Sequence, residues 1–407
     1  MKKQSRNYSR RDFLRITRNF GITSTLMAMA AFAPGDNFST LRLADAAALQ
    51  EKKRSAKNTR VTLVYGLSVK WKDWEHIDPI GCLHFVRDLE DRTDGEIRVE
   101  IIDQNTICNQ FDCIKRAQSG IIDIYCSTTQ NAAESVPFFN ILDFPYMFPG
   151  RASQQYFFYH PKSNKLLREP LIKQYGIRFL FTNCRLRELL MGMKWRKKPD
   201  ITTIEELSGM TIRVTASKPG KLALELLNMK PIPIPWEETL GALKYGMVDG
   251  MEGYSSAVAA EFPEVISQVV NLRLFSANEH TGINERVFEK LTPDLQYAVM
   301  ESAYQTQMAT EVACFNTVGA SLPMKQDTIF AKHGIRFVEL PVKELEKAEK
   351  ICSPLYNPKP WESWREKLNK LAGDIDIYQE IFNIAREIPA DTLAQNIDPR
   401  RWWKYEK

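Results

Sequence analysis

The chain has 407 residues, 44% of them hydrophobic and 26% charged, with a formal net charge of +5. Residues 1–46 hold eight Lys/Arg against three Asp/Glu, so the whole basic excess lies there and the rest is neutral. That argues against a nucleic-acid partner. The seven cysteines form neither a C-x-x-C pair nor a zinc spacing.

Taken in chain order, residues 9–15 read Ser-Arg-Arg-Asp-Phe-Leu-Arg, the pattern of a twin-arginine export signal. The apolar stretch from Phe20 to Ala33 is too short to span a bilayer, and Ala44-Asp45-Ala46 offers a cleavage site. The expectation is a signal peptide over 1–46, a flexible tether over 47–58, periplasmic localisation, and no stable membrane insertion after cleavage. Buried free thiols are the preferred state of the cysteines, because twin-arginine substrates fold before export and buried cysteine is common. Cys108 and Cys113 are the closest pair for a bridge.

Arg60–Leu67 reads as a buried strand, Asp78–Thr93 as a helix stopped by Thr93-Asp94-Gly95, and Ile97–Ile102 as a second strand. Phe111–Gln118 reads as a short helix and Ile121–Tyr125 as a third strand. This β-α-β-α-β order predicts parallel pairing. A loop rich in Pro and aromatics follows over Val136–Gly150, then a strand over Gly176–Thr182. Thr203–Glu206 reads as a capping box. Met210–Val214 is a strand, Lys218–Leu227 a helix, Ile232–Ile234 a strand, and Glu237–Tyr245 a helix closed by Gly246. Pro293 opens a helical pattern that meets no further proline until Pro323, long enough for ~40 Å of helix.

The segment from Leu207 to Tyr254 resembles the central part of the solute receptors of tripartite ATP-independent periplasmic (TRAP) transporters. The match rests on Arg213 in a strand, Trp236 after Pro233-Ile234-Pro235, and a G-x-x-D-G-x-E element formed by Gly246, Asp249, Gly250 and Glu252. The resemblance extends from Thr59 to about Pro389. It implies an α/β, two-lobed periplasmic binding protein of type II-like architecture, with parallel-core sheets, an interlobe cleft and a long helix spanning both lobes. Lobe I would comprise 59–188 and 273–320. Lobe II would comprise 189–272 and 321–407 with the C-terminal helices. The implied function is capture of a small organic anion (a carboxylate, including oxoacids, or a sulfonate) and its delivery to TRAP membrane permease subunits.

Arg213 is the first candidate anion contact, since a guanidinium grips a carboxylate through two parallel hydrogen bonds. The alternative is a salt bridge to Glu252 or Glu205. Trp236 is expected to line the pocket, with the helix core as its alternative, and Tyr254 to supply a polar contact. Glu252 would face the ligand, a cation or Arg213. Arg187, Lys194 and Arg196 are candidates for a second anion contact, or a solvated basic rim. Trp71 or Trp74 would wall the pocket, and Ser127, Thr128 and Thr129 would offer hydroxyls beyond the third strand. No cofactor is expected. Leu190 and Gly253 replace the residues with which an oxoacid-binding subset of the family holds a cation. A periplasmic enzyme and a sensory or scaffold protein on the same fold are the alternatives. The chain has no H-E-x-x-H, no G-x-S-x-G and no phosphate loop, so catalysis is not expected.

Overall fold

The computed structural model describes residues 59–68, 77–255, 258, 261–321 and 328–405. The expected signal, its cleavage site, the tether, Trp71 and Trp74 lie outside them.

The first lobe grows from β1 (Val61–Gly66), helix α1 (Ile77–Arg92), β2 (Ile97–Ile102) and β3 (Ile124–Thr128). β1 pairs in parallel with both β2 and β3. β3 starts three residues later than the sequence pattern indicates. Gly120 turns with φ +77°, Ile121 faces solvent, and Asp123 accepts a hydrogen bond from Val64 N at 2.8 Å before the strand begins. The second lobe contains β5 (Thr211–Val214), α2 (Lys218–Leu226), β6 (Lys230–Pro233), α3 (Trp236–Lys244) and β7 (Gly250–Gly253). There β5 pairs in parallel with β6 and β7. The predicted capping box is a short 3-10 turn, Glu205–Leu207, whose Glu206 accepts from the backbone N–H of Thr202 and Thr203.

The strand expected over Gly176–Thr182 runs on for ten more residues, and a second long strand has no counterpart in the sequence reading. β4 (Ile177–Gly192) and β8 (Ile266–Asn284) run antiparallel and join everything into one sheet, ordered β2-β1-β3-β8-β4-β7-β5-β6. β9 (Arg336–Glu339) pairs with β8. Parallel pairing therefore holds at the flanks, while the centre is antiparallel because the two crossings run in opposite directions. The expected lobe boundary at 188/189 falls inside β4. Beside it, Arg187 pairs with Phe275 and Leu189 with Val270, so residues 271–274 of β8 have no partner on β4. Within that bulge Arg273 has φ +52°.

The long helix is present as α4, Pro293–Ser321. It packs along α1 and β4, and its end meets the helix Ile329–His333. Phe330 of that helix belongs to the second lobe's core with Met251 and Ile266. The Pro-aromatic loop is core rather than surface: Phe138, Phe139, Leu142 and Phe144 are fully buried. The chain's end does not stay with the second lobe as 321–407 was expected to do. Trp361 and Tyr378 pack on Phe144, and Trp402 packs among Tyr159, Tyr304 and Arg168. Bulky aromatics find the larger apolar surface there.

The preference for free thiols fails at one pair. Cys108 and Cys113 form a disulfide, with Cα atoms 4.8 Å apart, within bridging distance. A tight turn makes this possible: Asn109 N donates to Asp112 Oδ1 and Phe111 N to Asn109 Oδ1. Cys82, Cys126, Cys184 and Cys352 are free and buried. Among the described residues no helix is long and apolar enough to cross a membrane.

Candidate ligand-binding cleft

The carboxyl ends of β3 and β5 face each other across the cleft between the lobes. Between them lies a cavity that is partly open to solvent. Its walls include Thr128, Gln130 and Asn131 from the first lobe and Arg213, Thr215 and Trp236 from the second.

Arg213 sits between the buried Ile212 and Val214 on β5 and is 2% exposed. Its Nε donates to Ile234 O at 2.9 Å and its Nη1 to Glu252 O at 3.4 Å. The Trp236 ring centroid lies 5.7 Å from the guanidinium. Among the described residues no carboxylate forms an ion pair with it. Glu205 pairs with Lys347 on the surface, and Glu252 pairs with Arg187, so neither predicted salt-bridge alternative occurs. Burial pulls the Arg213 pKa down to about 10, against the opposing field of Glu252 and Glu237. The group is still charged at neutral pH.

Arg187, on β4 beside the bulge, is differently placed. Its Nη1 lies 2.6 Å from Glu252 Oε1, its Nη2 pairs with Asp143, and its Nε donates to Ser276 O at 3.2 Å. Burial works against its charge, but Asp143 and Glu252 outweigh burial and raise its pKa. Arg187 borders the cavity, but its fork is already filled by two carboxylates. Glu252 in turn faces Arg187 rather than Arg213. Asp143 also lies against the start of α2, where a Cβ on Gly220 would approach its Oδ2 to 2.8 Å. The triad of Glu252, Arg187 and Asp143 therefore ties the second lobe to the first beneath the cavity.

Of the other expected residues, Thr128, Trp236 and Tyr254 line the cavity. Thr128 Oγ1 accepts from Asn131 N, capping the short helix Thr129–Ala132. Trp236 Nε1 donates to Glu261 Oε2 at 2.8 Å. Tyr254 stacks on the Arg185 guanidinium. Ser127 donates its hydroxyl to Gln110 O. Lys194 and Arg196 are not brought to the cavity. Lys194 pairs with Asp249, and Arg196 donates to the carbonyls of Ile266 and His333. Both sit past the end of β4, where carbonyls and Asp249 are the nearest acceptors. A Cβ on Gly250 would meet Leu190 O at 2.7 Å, so the two strands approach closely there.

Gln110, Gln130, Asn131, Thr215, Glu261 and Glu279 also line the cavity and were not foreseen. A polar residue in a loop after a strand carries no periodic signal. Only position beyond β3 and β5 would have drawn attention to them. Leu190, one of the two residues expected to argue against a bound cation, is core. The other, Gly253, lines the cavity. Among the described residues no cluster of three His, Cys, Asp or Glu could hold a metal.

The family of bacterial extracellular solute-binding proteins, family 7, matches residues 74–362. The 2,3-diketo-L-gulonate-binding periplasmic protein YiaO of Escherichia coli is 25% identical over 290 residues, 67% of this chain and 80% of the relative. Two solved structures share the fold. One is a TRAP periplasmic solute-binding protein from Sulfitobacter sp. NAS-14.1 with bound β-D-galacturonate (TM-score 0.66, 18% identity, 78% of this chain and 99% of that one). The other is the sugar acid binding protein of Advenella mimigardefordensis with galactonate (TM-score 0.67, 18% identity, 81% and 99%). A match over most of the chain shows that this protein belongs to the bacterial extracellular solute-binding proteins of family 7, and the two solved structures share its two-lobed fold.

Proposed function

We propose that the protein captures a small organic acid in the interlobe cavity, with the ligand's carboxylate on Arg213, and hands it to TRAP membrane permease subunits. The observation that carries this reading is the contrast in pairing: Arg213 is a buried cation whose partners are backbone carbonyls, at the wall of a cavity. A buried charge without a counter-charge is costly, and an anionic ligand supplies one. Trp236 offers an apolar face beside it. The names of the relatives support an acid: YiaO is named for 2,3-diketo-L-gulonate, and the two solved neighbours hold galacturonate and galactonate. Oxoacids and sulfonates belong in the same screen, because the guanidinium fork accepts either head group. A ligand touching both walls gains contacts only when the lobes are closed, so binding shifts the population toward closure. Neither a cofactor nor an assisting cation enters this reading, since Arg213 supplies the positive charge.

Calorimetry with a panel of carboxylates and sulfonates tests the assignment. Arg213→Ala is expected to weaken binding by about 2–5 kcal/mol, and Arg213→Lys to recover little of it, because an ammonium lacks the fork. Unchanged affinity in a folded Arg213→Ala protein would move the anion site elsewhere. Recovery of the ligand unchanged supports a receptor; its conversion would restore the enzyme alternative, and binding of no solute the scaffold or sensory one. Deleting the permease subunits should abolish uptake while binding persists. Export is proposed to follow the twin-arginine route, so replacing Arg10 and Arg11 by Lys should retain precursor in the cytoplasm. Normal periplasmic accumulation of that double variant would refute this route.

A further inference from the structure

Between the disulfide loop and the second lobe runs a chain of three groups that fixes the sense of an amide in the cavity wall. The backbone N–H of Ala216, just after β5, donates to Asn131 Oδ1 at 3.4 Å. A backbone N–H can only donate, so the atom of Asn131 that faces it must be the oxygen. The other end of that side chain is then the NH2 group, which donates to Gln110 Oε1. By the same logic, Gln110 has its oxygen toward Asn131 and its Nε2 turned away. Among the described residues Nε2 has no hydrogen-bond partner, and Gln110 lines the cavity.

We propose that Gln110 is a specificity-determining donor, presenting an N–H that selects an acceptor oxygen on the bound acid, and that Asn131, itself oriented by the Ala216 N–H across the cleft, is the positioning residue that sets its polarity. The backbone on both sides is pinned. Gln110 lies inside the ring closed by Cys108 and Cys113, and its carbonyl accepts from Ser127 Oγ at 2.8 Å. Asn131 is held by the Thr128 cap. Because Ala216 belongs to the opposite lobe, the relay is complete only when the lobes meet as they do here. Keto and carboxylate oxygens, which only accept, suit this wall. A hydroxyl suits it too, since it accepts or donates. The proposal rests on the acid-binding reading above.

Asn131→Asp tests it with almost no change of shape. A carboxylate still accepts from Ala216 N but has no proton for Gln110, so Gln110 must turn its NH2 toward residue 131 and show its oxygen to the cavity. The probes are D-gluconate with 2-keto-D-gluconate and D-gluconate with 5-keto-D-gluconate, two matched hydroxy and keto pairs. The added negative charge weakens both members of a pair alike, so the ratio within a pair isolates polarity. In Asn131→Asp the keto member matched to the wall should lose about tenfold more affinity than its hydroxy partner, as expected for one hydrogen bond turned into an acceptor–acceptor contact. Equal losses for both members of each pair would overturn the proposal. A ligand-independent arm follows the Gln110 side-chain amide by nitrogen-15 NMR, its signal identified by Gln110→Ala. That signal should move in Asn131→Asp, and an unmoved signal would also overturn the proposal. Arg213→Ala, run on the same probes, reports separately on the acid reading: if it alone has no effect, the carboxylate anchor is wrong while the relay stands on the NMR result.

Discussion

Arg187 and Arg213 stand two strands apart in the same sheet, both almost sealed from solvent. The first has two carboxylates and a carbonyl around its guanidinium; the second has two carbonyls and the face of an indole. Burial is common to both, so burial does not mark a ligand contact. The difference lies in pairing: a cation whose charge is answered from within the chain is structural, and one whose charge is not answered is available. The sequence ranks Arg213 first, yet it offers Glu252 as that residue's partner, and the fold gives Glu252 to Arg187.

Removing each arginine in turn separates the two roles. Arg187→Met leaves Asp143 and Glu252 buried side by side without their cation, and should lower unfolding free energy by about 3–5 kcal/mol. Arg213→Met removes a charge whose burial is already unfavourable, and stability should hold or rise. Urea titration reads both, and equal losses in the two variants would erase the distinction. A smaller effect is expected next to Arg187, on the opposite face of β4. Burial raises the Glu188 carboxyl to about pKa 7, and its Oε2 accepts from Ser255 N at 3.2 Å. The folded state keeps this proton up to about pH 7, whereas the unfolded chain releases it near its ordinary value of about 4.3. Stability should therefore fall as pH rises through that window, by up to about 3 kcal/mol. Glu188→Gln should flatten this part of the thermal stability profile, and an unaltered slope would count against a neutral Glu188. The smallest effect belongs to the disulfide. Replacing Cys108 and Cys113 by Ser opens a short ring and should cost about 2 kcal/mol, while leaving the triad under the cavity intact. A larger loss would mean that the loop supports more than Gln110.

Much of this arrangement was readable because it is local. The strand bearing Arg213, the helix after it and the Gly246–Glu252 element lie between Thr211 and Glu252, and each boundary is marked by a proline, a glycine or a cap. The long helix was readable from the absence of proline between Pro293 and Pro323. What escaped depends on residues far apart in sequence. Arg187 meets Asp143 and Glu252 from two other segments. Asn131 meets Ala216 across 85 positions. The length of β4 was hidden because its last residues, Glu188–Gly192, are held between β7 and β8, neither of which shows in its own pattern. The disulfide depended on a turn built from Asn109 and Asp112, whose side-chain hydrogen bonds leave no periodic trace.

The two crossing strands carry a mechanical consequence. A pair of loops would let the lobes swing loosely, but β4 and β8 keep their ladder through most of the crossing, and their longest break, at residues 271–274, exceeds the single-residue slips between Phe179 and Phe181 and between Met191 and Gly192. Rotation of one lobe against the other must therefore flex a hydrogen-bonded ribbon at its weakest point, with Arg187 beside it. Such a ribbon is elastic. It sets a resting angle, resists departure in both directions, and returns the lobes when the load is removed. The grip on a solute is then weakened by whatever strain the ribbon stores. A membrane partner that bends the ribbon back would release the solute without touching the cavity.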